Sequence, residues 1–498
     1  MTIEKGKQMD KSKIIGLTLG IWLFFGPFVK PFADSPPNFL VIMTDDQGKW
    51  ALGQYDPRIQ TPNIDYLAQN GVRFDEAISP VPVCSPARAS FFTGKTPSQH
   101  GVHDFLSTSD SSQDNWLEGE RLISDELSEN GYAVGLFGKW HADTRDWIGR
   151  EGFDEFLTYD EREAGWINQY LHSGRVHFSR NGIPEKYTGI QARFLAENAI
   201  RFITRAGAKP FATFVMFTQP HFPFAALPER LVESYRSVGS EIVQLEPKGS
   251  LASRADRVQD SVANAEDLEK VHAENIAQYL AAVTLVDEQV GQLVDALESR
   301  DLLKNTYIIF TSDHGHMTGQ YGLYGKGNAT RPQNLYQESI NIPLVIYGPE
   351  HLVKRAQIRQ EFVNLYDLFP TILELSKIEF QTHYAGPGKS LVPLLSGKEI
   401  KDFRRYQYAE YGNARMIHDG NLKLVRYYKQ RPEDSYREIW FQLGAKKSER
   451  LPITAPEGKI GLEMRSALER FFSRYETSDH SGRKIWDLPK HNGSEPWR

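Results

Sequence analysis

Several short apolar runs in this chain end abruptly in polar residues. NFLVIMT (residues 38–44), PFATFVMF (210–217) and YIIFTS (307–312) are each long enough for one strand. Uninterrupted apolar runs of this length are typical of strands buried on both faces of a parallel sheet. YAVGLFGKWH (132–141) is also strand-like. We therefore predict at least four buried strands.

Helical patterns separate these runs. TPNIDYLAQNG begins with Thr61 and Pro62, which suit an N-cap and a first helical residue, and Gly71 is the expected stop. SDELSENG and the segment after Cys84, ARASFFTGK, are shorter helix candidates, and residues 265–300 carry apolar residues at helical spacing. GVRFDEAIS predicts a further strand. Strands alternating with helices predict an α/β fold with a large, mostly parallel sheet between helices.

The remaining segments predict insertions and a second domain. Residues 150–190 and 228–265 are polar and irregular, so we interpret them as insertions over the sheet. After residue 385, RRYQYAEY and ARMIHDGNLKLVRYY predict a small antiparallel sheet with a turn at Asp419-Gly420. GLEMRSALERFFSRY predicts a helix packed on it. The predicted organisation is a signal peptide (1–33), a catalytic domain (34–385) and a C-terminal subdomain (386–498).

The amino terminus has the pattern of an export signal. Four lysines within the first 13 residues precede the apolar run IIGLTLGIWLFFGPFV, and cleavage near Ala33 would start the mature chain near Asp34. The run is shorter than the ~20 apolar residues of a membrane span and contains Pro27, so no stable membrane anchor is expected. The sequence predicts an exported protein, periplasmic or secreted.

Composition narrows the functional classes. The chain has 498 residues, is 40% hydrophobic and has a formal net charge of −6, values of an ordinary globular protein. Without a long basic run, no nucleic-acid partner is expected. A single cysteine, Cys84, excludes an intrachain disulfide framework and a multi-cysteine zinc site. Taken alone, it would be interpreted as a small buried hydrophobic residue.

Two pairs of candidate metal ligands follow predicted strands. Asp45-Asp46 and Asp313-His314 each stand at a strand end. Because the carboxyl ends of parallel strands meet at one edge of the sheet, these side chains should converge. A mostly carboxylate set favours Ca²⁺ or Mg²⁺ over zinc. Each pair alone could instead be a helix cap or a surface salt bridge.

Basic side chains accompany these pairs. Lys139 and His141 in GKWH stand at i and i+2 and should point to the same side of an extended strand end. His221 lies between prolines, and Lys326 lies between glycines that leave room for a ligand. Each could be an ordinary structural or solvated group. Together with an arginine, around a metal, they would suit a tetrahedral oxyanion.

The order of these motifs resembles a known family. Cys84-Ser85-Pro86-Ala87-Arg88 fits the pattern Cys-x-Pro-x-Arg of the formylglycine-dependent (type I) sulfatases of the alkaline-phosphatase superfamily. It is accompanied, in the family's order, by Asp45-Asp46, GKWH, PHFP, SDHG and GKGN. The resemblance covers most of residues 38–350, with a weaker echo in HDGNLKLV. It implies the alkaline-phosphatase-like fold and a sulfuric ester hydrolase.

The resemblance also implies a mechanism. A formylglycine-generating maturation enzyme would oxidise Cys84 to 3-oxoalanine (formylglycine), whose hydrated gem-diol is the family's nucleophile. By the same resemblance, one Ca²⁺ would be held by Asp45, Asp46, Asp313, His314 and the modified Cys84. Arg88 would orient the diol, and His141 would be a base. Lys139 and Lys326 would neutralise sulfate oxygens, and His221 or Lys326 would protonate the leaving oxygen.

Three functional hypotheses follow. The first is an exported sulfatase acting on sulfated carbohydrates, such as oligosaccharides from a sulfated polysaccharide; the candidate sugar contacts are Trp166, Tyr170, Tyr324, His103, Gln320 and Asn328. The second is a phosphonate monoester or phosphodiester hydrolase of the same fold. The third is an inactive sulfated-glycan binder, which would result if Cys84 were never oxidised.

Overall fold

The computed structural model describes residues 35–145, 147–165, 169–224, 226–253, 265–380, 382, 384–430, 435–444 and 449–498. The predicted signal peptide and Trp166 lie outside these residues. No helix in the described part of the chain is both long and apolar enough to cross a membrane.

The strands fall into one large sheet, one small sheet and several short pairs. Their bounds are β1 Asn38–Thr44, β2 Val72–Phe74, β3 Ala77–Ile78, β4 Ala133–Gly138, β5 Glu155–Tyr159, β6 Ser173–Arg180, β7 Ile183–Ile190, β8 Phe211–Met216, β9 Ala252–Ser253, β10 Thr306–Ser312, β11 Met317–Thr318, β12 Tyr324–Gly325, β13 Thr330–Arg331, β14 Leu344–Tyr347, β15 Gln357–Arg359, β16 Val363–Asn364, β17 Gln407–Tyr411, β18 Ala414–His418, β19 Leu422–Tyr428 and β20 Tyr436–Gln442.

The helices range from single turns to one of nearly ten turns. Their bounds are α1 Pro62–Gln69, α2 Cys84–Thr93, α3 Pro97–His100, α4 Ile123–Glu129, α5 Glu161–Ala164, α6 Gln191–Ala206, α7 Glu229–Arg236, α8 Gly239–Ile242, α9 Ala265–Glu298, α10 Gln337–Ile340, α11 Leu368–Leu375, α12 Val392–Leu395 and α13 Lys459–Tyr475. The helices predicted after Thr61 and after Cys84, and the long helix over 265–300, are confirmed.

The large sheet has ten strands in the order β15-β2-β14-β10-β1-β8-β4-β5-β6-β7. Its centre is parallel, because β1 pairs in parallel with β10 and β8, and β8 pairs in parallel with β4. Alternate residues of β1 enter the two hydrophobic cores on opposite faces of the sheet, as Val41 and Ile42 do. Helices cover both faces, which explains the uninterrupted apolar runs. The predicted α/β fold is confirmed.

The expectation of irregular insertions over residues 150–190 is wrong. This segment forms β5, β6 and β7, which extend the large sheet at one end, with β6 antiparallel to both neighbours. β7 is the edge strand, and its side chains are exposed or half-buried, whereas β5 is buried but is only five residues long and includes Glu155 and Thr158. The segment therefore lacks the apolar run that marks a central strand. Residues 228–253 also contain short helices, α7 and α8.

The predicted strand GVRFDEAIS is two short strands. β2 lies in the large sheet between β14 and β15, whereas β3 pairs with β16 in a separate two-stranded sheet. The polar pair Asp75-Glu76 separates them. The chain therefore passes from the large sheet to the two-stranded sheet at Asp75-Glu76.

A four-stranded antiparallel sheet, in the order β17-β18-β19-β20, follows the large sheet in the chain. The turn between β18 and β19 contains Asp419 and Gly420, as predicted. Helix α13 buries Met464, Leu468 and Phe472 against this sheet, where they share a core with Trp440. The predicted small sheet with a packed helix is confirmed.

Replacement of Leu468, which is fully buried, tests this packing. Leu468→Ala should lower the free energy of unfolding by about 2 to 5 kcal/mol, because it removes buried apolar surface and leaves a cavity. Leu462→Ala is the matched control, since Leu462 lies in the same helix and is 64% exposed. Urea denaturation followed by circular dichroism would measure both. Equal losses in the two variants would contradict the packing of α13 described here.

Candidate active site

The candidate site lies at the carboxyl ends of the parallel strands β10, β1, β8 and β4. Asp45 and Asp46 follow β1, Lys139 follows β4, Asp313 follows β10, and His221 comes five residues after β8. Backbone hydrogen bonds join these strand ends: the Asp313 N–H donates to Thr44 O at 3.1 Å, and the Lys139 N–H donates to Met216 O at 2.8 Å. Because these neighbouring strands run parallel, their carboxyl ends bring residues that are far apart in sequence to one edge of the sheet, as expected.

Cys84 is the first residue of α2 and lies at the centre of the site, only 2% exposed. Its Sγ is 3.3 Å from Asp45 Oδ1 and 3.3 Å from His314 Nε2. The Lys326 ammonium donates to the same sulfur at 2.9 Å. The single cysteine is therefore surrounded by charged and polar groups, and the interpretation of it as an ordinary apolar core residue does not hold.

The candidate metal ligands converge as predicted. One ligand atom each from Asp45, Cys84, Asp313 and His314 lie within 4.8 Å of one another, and so do atoms from Asp45, Asp46, Cys84 and His221. Lys326 Nζ touches the ligands themselves, at 2.6 Å from Asp46 Oδ1 and 3.5 Å from His314 Nε2. A cationic group thus lies among the buried carboxylates. Asp45, Asp46 and Asp313 supply carboxylate oxygens and His314 supplies a ring nitrogen, so the donor set fits a divalent ion.

Two further cations compensate the other carboxylates. Lys139 Nζ donates to Asp45 Oδ2 at 2.5 Å and to Tyr170 OH at 3.2 Å. Arg88 Nε donates to Asp313 Oδ2 at 2.9 Å, and its Nη1 donates to Lys139 O at 2.6 Å. Lys139 and Arg88 are fully buried, so in this structure they contact the carboxylates and not the open cleft.

Two histidines flank Cys84. His141 Nε2 lies 3.0 Å from the Leu106 carbonyl oxygen, which can only accept, so Nε2 carries the proton and Nδ1 is left as the acceptor. The His141 ring also lies beside the Cys84 side chain. His221 donates from Nδ1 to Phe222 O, and its Nε2 lies 3.6 Å from Asp46 Oδ2. Its ring stacks on Tyr170 at 4.1 Å.

The electrostatics of the site follow from these contacts. Burial raises the pKa of the Cys84 thiol, but Lys139 and Lys326 outweigh this and hold it well below its usual range. Burial and the neighbouring Asp45 raise the pKa of Asp313 to about 6. Burial lowers the pKa of His314, yet Asp313 more than offsets that effect and raises it to about 9. The site thus favours an anion at the position of the cysteine sulfur.

Two glycines are required by close approach. A Cβ on Gly138, whose φ is +119°, would lie 2.0 Å from Met216 O, so only glycine lets β4 deliver Lys139 beside β8. A Cβ on Gly327 would lie 2.4 Å from the Pro82 side chain. Gly327 therefore allows the Lys326 loop to pack against the segment that precedes Cys84, whereas the sequence suggested that it leaves room for a ligand.

The sequence analysis missed two residues of the site. His316 is buried, with Nδ1 3.2 Å from Asp46 Oδ2. Tyr279, from α9, donates its hydroxyl to Asp46 O at 2.8 Å and stacks on His316 at 5.9 Å. His316 stands only two residues after His314, and this spacing was the available signal. Tyr279 lies within an apolar helix pattern that gives no sign of a polar partner.

A cleft of about 640 Å³ lies next to Cys84, which is one of its lining residues. Of the candidate sugar contacts, Tyr170, Tyr324 and Asn328 line it. His103 does not: it is buried elsewhere and bonds the His480 carbonyl oxygen. Gln320 does not line it either, because its side-chain oxygen accepts from the Thr318 N–H. The cleft is large enough for an organic group much larger than a sulfate.

The chain matches a known protein family. The family model described as Sulfatase matches residues 37–378, and the model described as N-sulphoglucosamine sulphohydrolase, C-terminal, matches residues 319–439. The chain therefore belongs to the sulfatase family, and its enzyme class is that of the sulfuric ester hydrolases. Family membership generally implies a metal ion and a formylglycine, and the carboxylate cluster around Cys84 is a possible site for both.

Individual relatives differ in substrate. The chain is 31% identical over 365 residues to an ulvan-active sulfatase of Formosa agariphila, covering 70% of this chain and 63% of that protein. It is 29% identical over 422 residues to a choline-sulfatase of Rhizobium meliloti, covering 78% of each.

Solved structures share the fold. A protein solved with its substrate D-glucosamine-2-N,6-O-disulfate has a TM-score of 0.74 at 22% identity, covering 90% of this chain and 99% of that one. The phosphonate monoester hydrolase of Silicibacter pomeroyi has a TM-score of 0.68 at 19% identity, covering 89% and 96%. One fold therefore carries sulfate and phosphonate ester chemistry.

Neutralising a carboxylate of the cluster tests the metal site. Asp46→Asn should weaken the affinity for a divalent ion at least ~10-fold, because it removes one charged oxygen from the candidate ligands. Asp110→Asn, a change in a carboxylate that lines the same cleft outside the cluster, should bind as the parent does. Isothermal titration with Ca²⁺ would measure both. Parental affinity in the Asp46 variant would exclude Asp46 as a ligand.

Proposed function

We propose that this protein is an exported sulfatase that hydrolyses sulfate esters of carbohydrates, using a formylglycine made from Cys84. The observation that carries the proposal is the position of Cys84 at the floor of the cleft, beside Lys326 and two histidines. The overall reaction adds water across a sulfate ester and releases an alcohol and inorganic sulfate. An export signal suits a substrate found outside the cell.

The proposed formylglycine explains the surroundings of Cys84. A hydrated aldehyde at this position supplies an oxygen nucleophile, together with a second oxygen on the same carbon that a thiol lacks. The neighbouring cations favour an anion at this atom, as they favour the thiolate. His141 would be the base there, since its Nδ1 is the acceptor side of a ring beside Cys84.

The proposed cation is Ca²⁺, and Asp45, Asp46, Asp313 and His314 would hold it with the modified Cys84. Sulfur and nitrogen ligands favour softer metals, but replacing the Cys84 sulfur with oxygen leaves an oxygen-rich set with one nitrogen. When bound, such an ion would act as a Lewis acid next to the reacting sulfate. Arg88 and Lys139 would keep Asp313 and Asp45 in place through their hydrogen bonds.

Lys326 and His221 are the proton donors of the cleft. The leaving alcohol oxygen gains a proton as its bond to sulfur breaks. Lys326 lines the cleft with its ammonium 2.9 Å from Cys84 Sγ. The Nδ1 proton of His221 is committed to Phe222 O, so His221 would deliver a proton into the cleft from Nε2 of its doubly protonated, imidazolium form. Lys326 can also neutralise sulfate oxygens.

Support for a carbohydrate substrate comes from the walls of the cleft. Phe222, next to His221, is 57% exposed, although most large apolar side chains of the chain are buried. Its ring packs edge-on against Phe224, and both line the cleft together with Tyr324. An exposed ring held in place beside a reactive group suits stacking against the apolar face of a sugar ring.

Oxidation of Cys84 is tested by mass spectrometry of the intact peptide from protein made in a host with a maturation system. We expect a mass about 18 Da below the thiol form, or its hydrate, since oxidation replaces a CH₂SH group with an aldehyde. Cys84→Ala should turn over no 4-nitrophenyl sulfate while keeping the parental melting temperature. An unmodified thiol in an inactive protein that binds sulfated glycans would favour the binder hypothesis.

Replacement of the two proton donors tests their roles. Lys326→Ala and His221→Ala should each lower kcat for a sugar sulfate at least ~100-fold, because each removes a charge or a proton supplied in the transition state. Lys95→Ala is the matched control, since Lys95 pairs with Glu120 outside the cleft. Faster turnover of phenylphosphonate esters than of sulfate esters by the parent would replace the sulfatase assignment with the phosphonate hydrolase.

Loss of the Phe222 ring tests the sugar platform. Phe222→Ala should raise KM for a sulfated monosaccharide roughly 3- to 10-fold, with a smaller effect on kcat, because stacking acts on bound substrate and transition state alike. Ile183→Ala is the control, an exposed apolar residue on β7 outside the cleft. An unchanged KM would remove Phe222 from the binding surface.

A further inference from the structure

The charge on the cleft wall differs from that on its floor. Of the described residues that line the cleft, Lys326 is the only lysine or arginine, and it lies at the floor against Asp46 and Cys84. The wall above carries three carboxylates, on Asp110, Asp143 and Glu161. A substrate whose sulfate lies on the floor must therefore place its alcohol part against an acidic wall.

Among the described residues, two of these carboxylates have no cationic partner, those of Asp110 and Glu161. Asp143 lies 3.4 Å from Arg150 and accepts from backbone N–H groups, so part of its charge is offset. In the described part of the chain, Asp110 accepts one hydrogen bond, from the neutral Ser107 Oγ at 3.3 Å, and it is exposed. The described contacts of Glu161, with Thr108 and Gln169, are also neutral.

Glu161 joins two parts of the wall. It begins α5 and accepts from Thr108 Oγ1 at 3.2 Å and from Gln169 Nε2 at 3.0 Å. These bonds hold its carboxylate at the cleft between the 105–110 segment and the residues after α5. None of the donors carries a charge, so a charge brought by the substrate would meet that of Glu161 directly.

We propose that this acidic wall makes the enzyme selective for singly sulfated substrates, with Asp110 and Glu161 as the specificity-determining residues. The inference rests on the proposed sulfatase function and narrows its substrate class. Carboxylates only accept hydrogen bonds, so they match hydroxyl or ammonium groups of a sugar. A second sulfate or a uronate carboxylate also only accepts, and it adds like-charge repulsion in a partly enclosed cleft.

The inference is tested by competition, which does not require the sugar to be hydrolysed. The probes are D-glucosamine 6-sulfate and D-glucosamine-2-N,6-O-disulfate, which differ by an ammonium and an anionic N-sulfate at one position. We expect the disulfate to inhibit 4-nitrophenyl sulfate turnover at least ~10-fold more weakly than the monosulfate. Equal or tighter inhibition by the disulfate would overturn the proposal.

Variants and salt assign the selectivity to these carboxylates. In the double variant Asp110→Asn, Glu161→Gln, the difference in inhibition between the disulfate and the monosulfate (the gap) should fall to less than ~3-fold. Asp110→Asn alone should reduce this difference in part. Glu118→Gln, an exposed carboxylate outside the cleft, should leave the gap as in the parent. Raising ionic strength from about 0.05 M to about 0.5 M should also narrow the gap, because salt screens exposed charges.

The outcomes separate the two proposals. The difference in inhibition between the two sugars could remain unchanged both in high salt and in the double variant. The shape of the cleft would then exclude the disulfate, and the proposal that the acidic wall causes the selectivity would be overturned. Failure of protein with a verified formylglycine to hydrolyse 4-nitrophenyl sulfate and any sugar sulfate would overturn the proposed function, and the inference that rests on it.

Discussion

The arrangement of this molecule around its site follows from one electrostatic constraint, three carboxylates buried at adjacent strand ends. Asp45, Asp46 and Asp313 are at most 2% exposed, and isolated charges are very unfavourable away from water. Each carboxylate is therefore met by a cation from a different element: Lys139 after β4, Arg88 in α2 and Lys326 after β12. The glycines at 138 and 327 matter because they allow two of these elements to approach. Ligands, nucleophile and cations thus form one interdependent cluster.

The sequence predicted the parts of the fold that bury two faces. Central strands such as β1 and β10 appear as apolar runs, and α9 appears through its helical spacing. Strands β5 to β7 were missed for two reasons: β6 and β7 have many exposed or half-buried side chains, and β5 is buried but is only five residues long and includes Glu155 and Thr158. In the site, pairs at strand ends could be found because topology alone brings them together. Tyr279 and His316 could not be assigned, since their partner Asp46 is set by the packing of α9 and by the chain path after β10.

The floor and the wall of the cleft differ in structural origin. The floor consists of strand ends and the start of α2, held by the parallel sheet. The wall consists of connecting segments, 105–110 and the region around α5, joined by single hydrogen bonds such as that between Thr108 and Glu161. Segments of this kind can change without disturbing the sheet. The difference agrees with a family whose members share a fold while acting on choline sulfate, ulvan or sugar sulfates.

The burial of Cys84 also constrains the order of events in the life of this protein. The side chain is 2% exposed and is enclosed by the ion pairs that join α2 to the sheet. An enzyme that converts this cysteine would need to surround it with its own active site, which the folded cluster prevents. The proposed oxidation therefore belongs to the nascent or unfolded chain, before the strands assemble. A chain that folds first would be a stable protein with an unmodified thiol. The active fraction would therefore depend on the rate of modification relative to the rate of folding.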